Sequence, residues 1–182
     1  MLFDLGIVQI TVLFLSYWYL GFWYGTGFLF LLYHAAENLF IALGYYPVPF
    51  VDIGMAFEKK DGTNNLVAYF EADSIDLDSI KKRIYEQGIK KVKNLRYIRK
   101  DILGLSLFKL GTEEEAKLQI KRVKKDVTDE KGVMDYCSKL AQQLQDPDTP
   151  LWECHVQENY NGNKTLVFFV LQHSLVDAVG YA

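Results

Sequence analysis

Between Asp4 and Glu37 the chain carries no Asp, Glu, Lys or Arg, whereas all 20 of its Lys and Arg residues lie after position 58. An uncharged apolar run of at least about 18 residues can cross a hydrocarbon core of about 30 Å as a helix, because helical backbone satisfies its own hydrogen bonds there. The sequence therefore predicts one transmembrane helix within Leu5 to Tyr33, with a tight two-helix hairpin as the alternative. Tyr17, Trp18, Tyr19, Trp23, Tyr24 and Tyr33 suit an interfacial aromatic belt, and Gly21, Gly25 and Gly27 allow a bend or a close helix contact. A cleaved signal peptide fits less well, since Asp4 stands where a basic start is wanted and the apolar core is too long. Neither flank has the Lys/Arg excess that sets orientation. On this reading residues 1–34 are an anchor and residues 35–182 form one α/β domain, since 182 residues leave no room for a second.

The net charge of −3 gives no global pull toward nucleic acid. Cys137 and Cys154 form no CxxC pair and have no His at metal-binding spacing, so they read as free buried thiols. No disulfide, metal site or tightly bound cofactor is expected. The sequon Asn163-Lys164-Thr165 reads as part of a turn.

Apolar periodicity places a short amphipathic helix from His34 to Leu43, stopped by Gly44 with Pro47 and Pro49 beyond it. Val51 to Phe57 and Leu66 to Phe70 read as a β-hairpin turning at Asp61-Gly62. Asp76 or Asp78 can cap a helix through about Gln87, with Ile80, Ile84 and Tyr85 inward and Gly88 ending it. A second helix is predicted from Gly132 to Leu144, terminated at Asp146-Pro147. Trp152 to Tyr160 and Thr165 to Leu171 form a hairpin across Asn161-Gly162, and the second strand is apolar on both faces, as a buried strand would be.

From Lys81 to Lys100 there are nine Lys or Arg residues against the single Glu86, and Lys121, Arg122, Lys124 and Lys125 follow. Such runs are usually a solvated face; anionic headgroups beside a membrane and a phosphate-bearing cofactor are the other readings. No recognition motif for nucleic acid accompanies them.

One stretch has the shape of a catalytic site. Gln172-His173-Ser174-Leu175-Val176-Asp177-Ala178 ends the apolar strand with polar groups, including an imidazole and a carboxylate four residues on. An imidazole can take a proton from a hydroxyl near neutral pH, and a carboxylate can orient it or brace its loop. Alone, that pattern more often marks a satisfied structural His. It does not stand alone: Pro150-Leu151-Trp152-Glu153, Asn161-Gly162-Asn163-Lys164 and Leu166-Val167-Phe168-Phe169 precede it in order. Together they resemble the signature region of the wax ester synthase/diacylglycerol acyltransferase family, which shows PLWE, strand, Gly-containing turn, strand and HHxxxDG. A weaker likeness runs back through Ile53-Gly54-Met55-Ala56-Phe57-Glu58 to Ala35-Ala36-Glu37-Asn38-Leu39-Phe40.

The resemblance implies an α/β fold that is one half of a two-domain, chloramphenicol-acetyltransferase-like architecture. It further implies transfer of an acyl group from acyl-CoA, as co-substrate, to the hydroxyl of a fatty alcohol or diacylglycerol. By position, His173 corresponds to the second His of HHxxxDG, the general base, and Asp177 to the residue that holds the loop. The chain departs from the pattern at Gln172, in place of the first His, and at Ala178, in place of Gly. Family members have two similar halves and this chain carries one, so the other wall would come from further sequence or from a partner chain. A non-catalytic subunit of a larger membrane complex and an acyl-CoA-binding module without turnover are the competing expectations. The family suggests the endoplasmic reticulum and lipid biosynthesis, and the mitochondrial inner membrane is the alternative home for a repurposed subunit.

Overall fold

A computed structural model of the chain describes residues 2–47, 65–102, 105–146, 148–172 and 175. Helix α1 spans Leu2–Ala42, but its helical geometry is interrupted at Gly21, where φ is 71° and ψ is 164°. That conformation, open to glycine and strained for other residues, breaks the hydrogen-bond ladder and divides α1 into two shorter helices. Beyond the break, Trp23, Tyr24, Tyr33, His34, Glu37 and Asn38 dilute the apolar content. Among the described residues no helix is long and apolar enough to cross a membrane. This corrects the expected transmembrane anchor, and the integral-membrane location inferred from it loses its support. Freedom from charge misled because aromatic residues with polar tips, and a glycine that stops the helix, are invisible to a count of charges.

The end of α1 follows the sequence reading. Leu43 donates its amide to the Leu39 carbonyl at 3.0 Å, and Gly44 adopts a positive φ of 81° just beyond. Strand β1, Tyr45–Pro47, then pairs antiparallel with β4, Leu105–Leu110, which also pairs with β3, Tyr97–Ile102. This three-stranded sheet was not read from the sequence, because β3 sits inside the lysine-rich run and its apolar residues are too few to show a period of two.

The main sheet has four strands in the order β2-β7-β6-β5. Strand β2, Asn65–Asp73, lies antiparallel to β7, Lys164–Gln172, which lies antiparallel to β6, Trp152–Tyr160; the short β5, Ile120–Arg122, runs parallel to β6. The predicted β6–β7 hairpin is present, with Asn161 and Gly162 at positive φ of 47° and 84°. Leu66 to Phe70 is strand as expected, while its proposed hairpin partner, Val51 to Phe57, and the Asp61-Gly62 turn lie outside the described residues.

Helix α2, Leu77–Ile84, is capped by Asp76, whose carboxylate accepts the Ser79 amide at 2.8 Å; it continues as a π-turn over Tyr85–Ile89 that includes Gly88. A 3₁₀ turn, Lys93–Arg96, leads into β3. Helix α3, Glu113–Lys117, has a full capping box between Thr112 and Glu115. Helix α4, Glu130–Ala141, begins two residues before the expected start, at an Asp129 cap, and ends three before the expected end.

Both faces of β6 and β7 are covered. Cys154, Val156 and Val167 pack with Ile80, Ile89, Phe108, Leu151 and Trp152 on one side. Leu166, Phe168 and Val170 pack with Val133 and Leu140 of α4 on the other. Double coverage explains why β7 lacks polar alternation.

Candidate functional site

His173 and Asp177, the residues assigned to general-base and loop-bracing roles, lie outside the described residues. What the structure does show is the approach to them. The amide of Gln172, immediately before His173, donates to the Leu151 carbonyl at 2.9 Å, and Trp152 pairs with Leu171 across the sheet. The Pro150-Leu151-Trp152-Glu153 run and the end of β7, distant in sequence, are thus hydrogen-bonded neighbours. Trp152 is 1 % exposed and its indole N–H donates to the Leu95 carbonyl at 2.6 Å, anchoring the run to the 3₁₀ turn.

A second polar constellation was not foreseen. Residues at i and i+2 on a strand share a face, so Glu153, His155 and Gln157 all project from β6 toward α4, opposite Trp152, Cys154 and Val156. The Glu153 carboxylate accepts from Lys121 Nζ at 2.6 Å through one oxygen, and lies 2.7 Å from His155 Nε2 and 3.3 Å from Gln143 Nε2 through the other. The second nitrogen, His155 Nδ1, lies 2.9 Å from the Tyr136 hydroxyl of α4. Lys121 is placed by the parallel pairing of β5 with β6, opposite His155. Gln157 clasps both backbone groups of Val127, its oxygen accepting the amide at 2.7 Å and its nitrogen donating to the carbonyl at 2.8 Å. The sequence signal was Glu-x-His on a strand, hidden because both residues stand inside an otherwise apolar run.

Burial opposes ionisation of Glu153, but hydrogen bonds from His155 and Lys121, and their charges, outweigh it and hold the carboxyl at about 2. Burial, aided by the Glu153 charge, pushes Tyr136 up to about 12, so its hydroxyl keeps its proton. Burial also pushes the Cys154 thiol up to about 12 and raises Cys137; both cysteines are free. No group of three or more potential metal ligands occurs among the described residues.

The constellation floors a cleft of ≈ 530 Å³ between α4, β5, β6 and the segment after β5. Lys121, Lys124, Lys125, Tyr136, Lys139 and His155 are among its lining. The other basic run is largely committed to surface ion pairs: Lys90 to Glu86 at 2.9 Å, Arg99 to Asp101 at 3.2 Å, and Lys100 to Asp148.

No family model matches the sequence, and no curated protein matches it. Solved structures match the fold. The starter condensation domain of rhizomide synthetase RzmA, in complex with C8-CoA, aligns at a TM-score of 0.55 over 77% of this chain and 33% of its own, at 9% identity. The wax ester synthase/diacylglycerol acyltransferase of Marinobacter aquaeolei VT8 aligns at 0.52 over 74% of this chain and 36% of its own, at 16% identity. A four-domain nonribosomal peptide synthetase bound to AMP and glycine aligns at 0.54 over 72% of this chain and 10% of its own, at 15% identity. The chain shares the fold of the matched part of these proteins. It spans about a third of the length of the condensation domain and of the wax ester synthase.

Proposed function

We propose that this acyltransferase-like chain contributes one half of an acyl-CoA-dependent O-acyltransferase site, with His173 as general base and Asp177 bracing its loop. In that reaction His173 accepts the proton of an alcohol, from a fatty alcohol or a diacylglycerol, as its oxygen attacks the thioester carbonyl. The carbon–sulfur bond then breaks and coenzyme A leaves as the thiol, having taken the proton back from His173. Such general-base help is worth roughly two to four orders of magnitude in rate.

The observation carrying this reading is the hydrogen bond from Gln172 to Leu151, which joins two halves of the family-like sequence pattern at the point where the chain enters His173. The occurrence of this fold in a wax ester synthase and in a condensation domain holding C8-CoA supports acyl-CoA as co-substrate. The rival reading, a non-catalytic acyltransferase-like subunit, draws on the chain spanning only about a third of those proteins.

Incubation of the chain with radiolabelled palmitoyl-CoA and either hexadecanol or diacylglycerol separates the two. Ester formation abolished by His173→Ala supports the enzyme. Ester formation unaffected by that substitution overturns the role of His173, and no ester from either protein overturns the enzymatic reading in favour of the subunit.

A further inference from the structure

The cleft floored by Tyr136, His155 and Glu153 belongs to β5, β6 and α4, and it is not used by the proposed acyl transfer. Five cationic side chains line it, Lys121, Arg122, Lys124, Lys125 and Lys139, against the carboxylates of Asp126, Asp135 and Glu153. Glu153 is neutralised locally by Lys121, and Arg122 is turned to Glu158 of β6. Lys124, Lys125 and Lys139 enter no ion pair among the described residues. The balance at the mouth is cationic even after Asp126 and Asp135 are counted. A volume of ≈ 530 Å³ falls within the range of about 300–1,000 Å³ typical of small-molecule sites.

The floor adds a constraint on what the cleft can take. Tyr136 has one hydroxyl proton. The hydroxyl oxygen lies 2.9 Å from His155 Nδ1, and the ring is held from its other side by Glu153 at 2.7 Å. Lys121 holds the other Glu153 oxygen at 2.6 Å. Charged groups facing His155 are Glu153 on its own strand, Lys121 on β5, Asp135 and Lys139 on α4, and Lys124, Lys125 and Asp126 in the segment after β5. The high pKa of Tyr136 keeps it a donor throughout the neutral range.

We infer that this cleft binds a phosphorylated small molecule, with Lys124, Lys125 and Lys139 holding the phosphate charge and Tyr136 donating to a phosphate oxygen. No covalent bond forms or breaks. The site stands independently of the acyl-transfer reading.

Calorimetric titration of the full chain with inorganic pyrophosphate, with ADP as the nucleotide arm, tests the inference. Saturable 1:1 binding is expected, weakened at least tenfold in Lys124→Gln/Lys125→Gln/Lys139→Gln and unchanged in Lys81→Gln/Lys82→Gln. Tyr136→Phe, which keeps the ring and loses only the hydroxyl, should bind pyrophosphate at least threefold more weakly. Lack of saturable binding, affinity within twofold in the triple variant, or unchanged affinity in Tyr136→Phe would each overturn the assignment. ADP binding tighter than pyrophosphate supports a nucleotide occupant, and equal affinity supports a free phosphate anion in the same site.

Discussion

Replacing Glu153 with Gln removes a charge that two partners hold in a buried position. At 7 % exposure the residue is little screened by solvent. The hydrogen bonds from His155 and Lys121 bring its carboxyl from the ordinary 4.5 to about 2. Each tenfold change in acidity corresponds to about 1.4 kcal/mol, so the folded state favours the ionised carboxylate by about 3 kcal/mol. A carboxyl more acidic in the folded than in the unfolded chain stabilises the fold above its unfolded pKa, and that contribution disappears as pH falls through its folded pKa. Urea unfolding of wild type and Glu153→Gln should therefore differ by about 3 kcal/mol at pH 6 to 7, the difference shrinking below pH 4.5 and vanishing near pH 2. The comparison is read on the acid limb, between about pH 4.5 and pH 2, where the Glu153 carboxyl takes up its proton. A difference that stays flat between pH 6 and pH 3, or that never exceeds about 1 kcal/mol, the ordinary worth of a neutral hydrogen bond, would refute the argument.

Gly162 sits at a φ of 84° with open space where a Cβ would stand, so Gly162→Ala should cost backbone strain alone, about 1 kcal/mol in thermal or urea unfolding. A cost above about 3 kcal/mol would mean that the hairpin turn is constrained by something other than its backbone. Cys154 is fully buried and its thiol is pushed up to about 12, whereas Cys137 is half-buried and raised less. A thiol reagent at pH 8 should thus label Cys137 first and reach Cys154 only at the rate of global unfolding, as peptide mapping would show.

Much of the central sheet was legible because its signals are local. Asn161-Gly162 marks the hairpin, and unbroken apolar residues mark β7 as buried on both faces. Asp76 and Gly44 act where their types predict, as helix cap and helix stop. Other features needed tertiary context. β3 carries Arg99, Lys100 and Asp101 in the middle of the strand, and its place is set by pairing with β4 and an isolated bridge from Ile98 to Pro150. The Glu153–His155 pair becomes a network only when β5 brings Lys121 and α4 brings Tyr136, partners 32 and 19 residues away from Glu153 and His155 respectively. The anchor failed for a related reason: charge counts along Leu5 to Tyr33 do not register a helix that breaks at Gly21.

The Pro150-Leu151-Trp152-Glu153 run gains a physical meaning from its two-faced placement. Leu151 and Trp152 are 2 % and 1 % exposed and belong to the core beneath α2, while the next residue, Glu153, projects through the opposite face into the polar floor beneath α4. The Leu151 carbonyl also terminates β7 by accepting the Gln172 amide. Four consecutive residues therefore fix both core layers and the strand end from which the chain enters His173. Such a run constrains its neighbours through core packing and one backbone hydrogen bond. That is a sufficient reason for the strand, the Gly-containing turn, the second strand and the His to occur together in a fixed order, and for the pattern to tolerate Gln172 at the strand's last residue, where the bond to Leu151 is made by the backbone and asks nothing of the side chain.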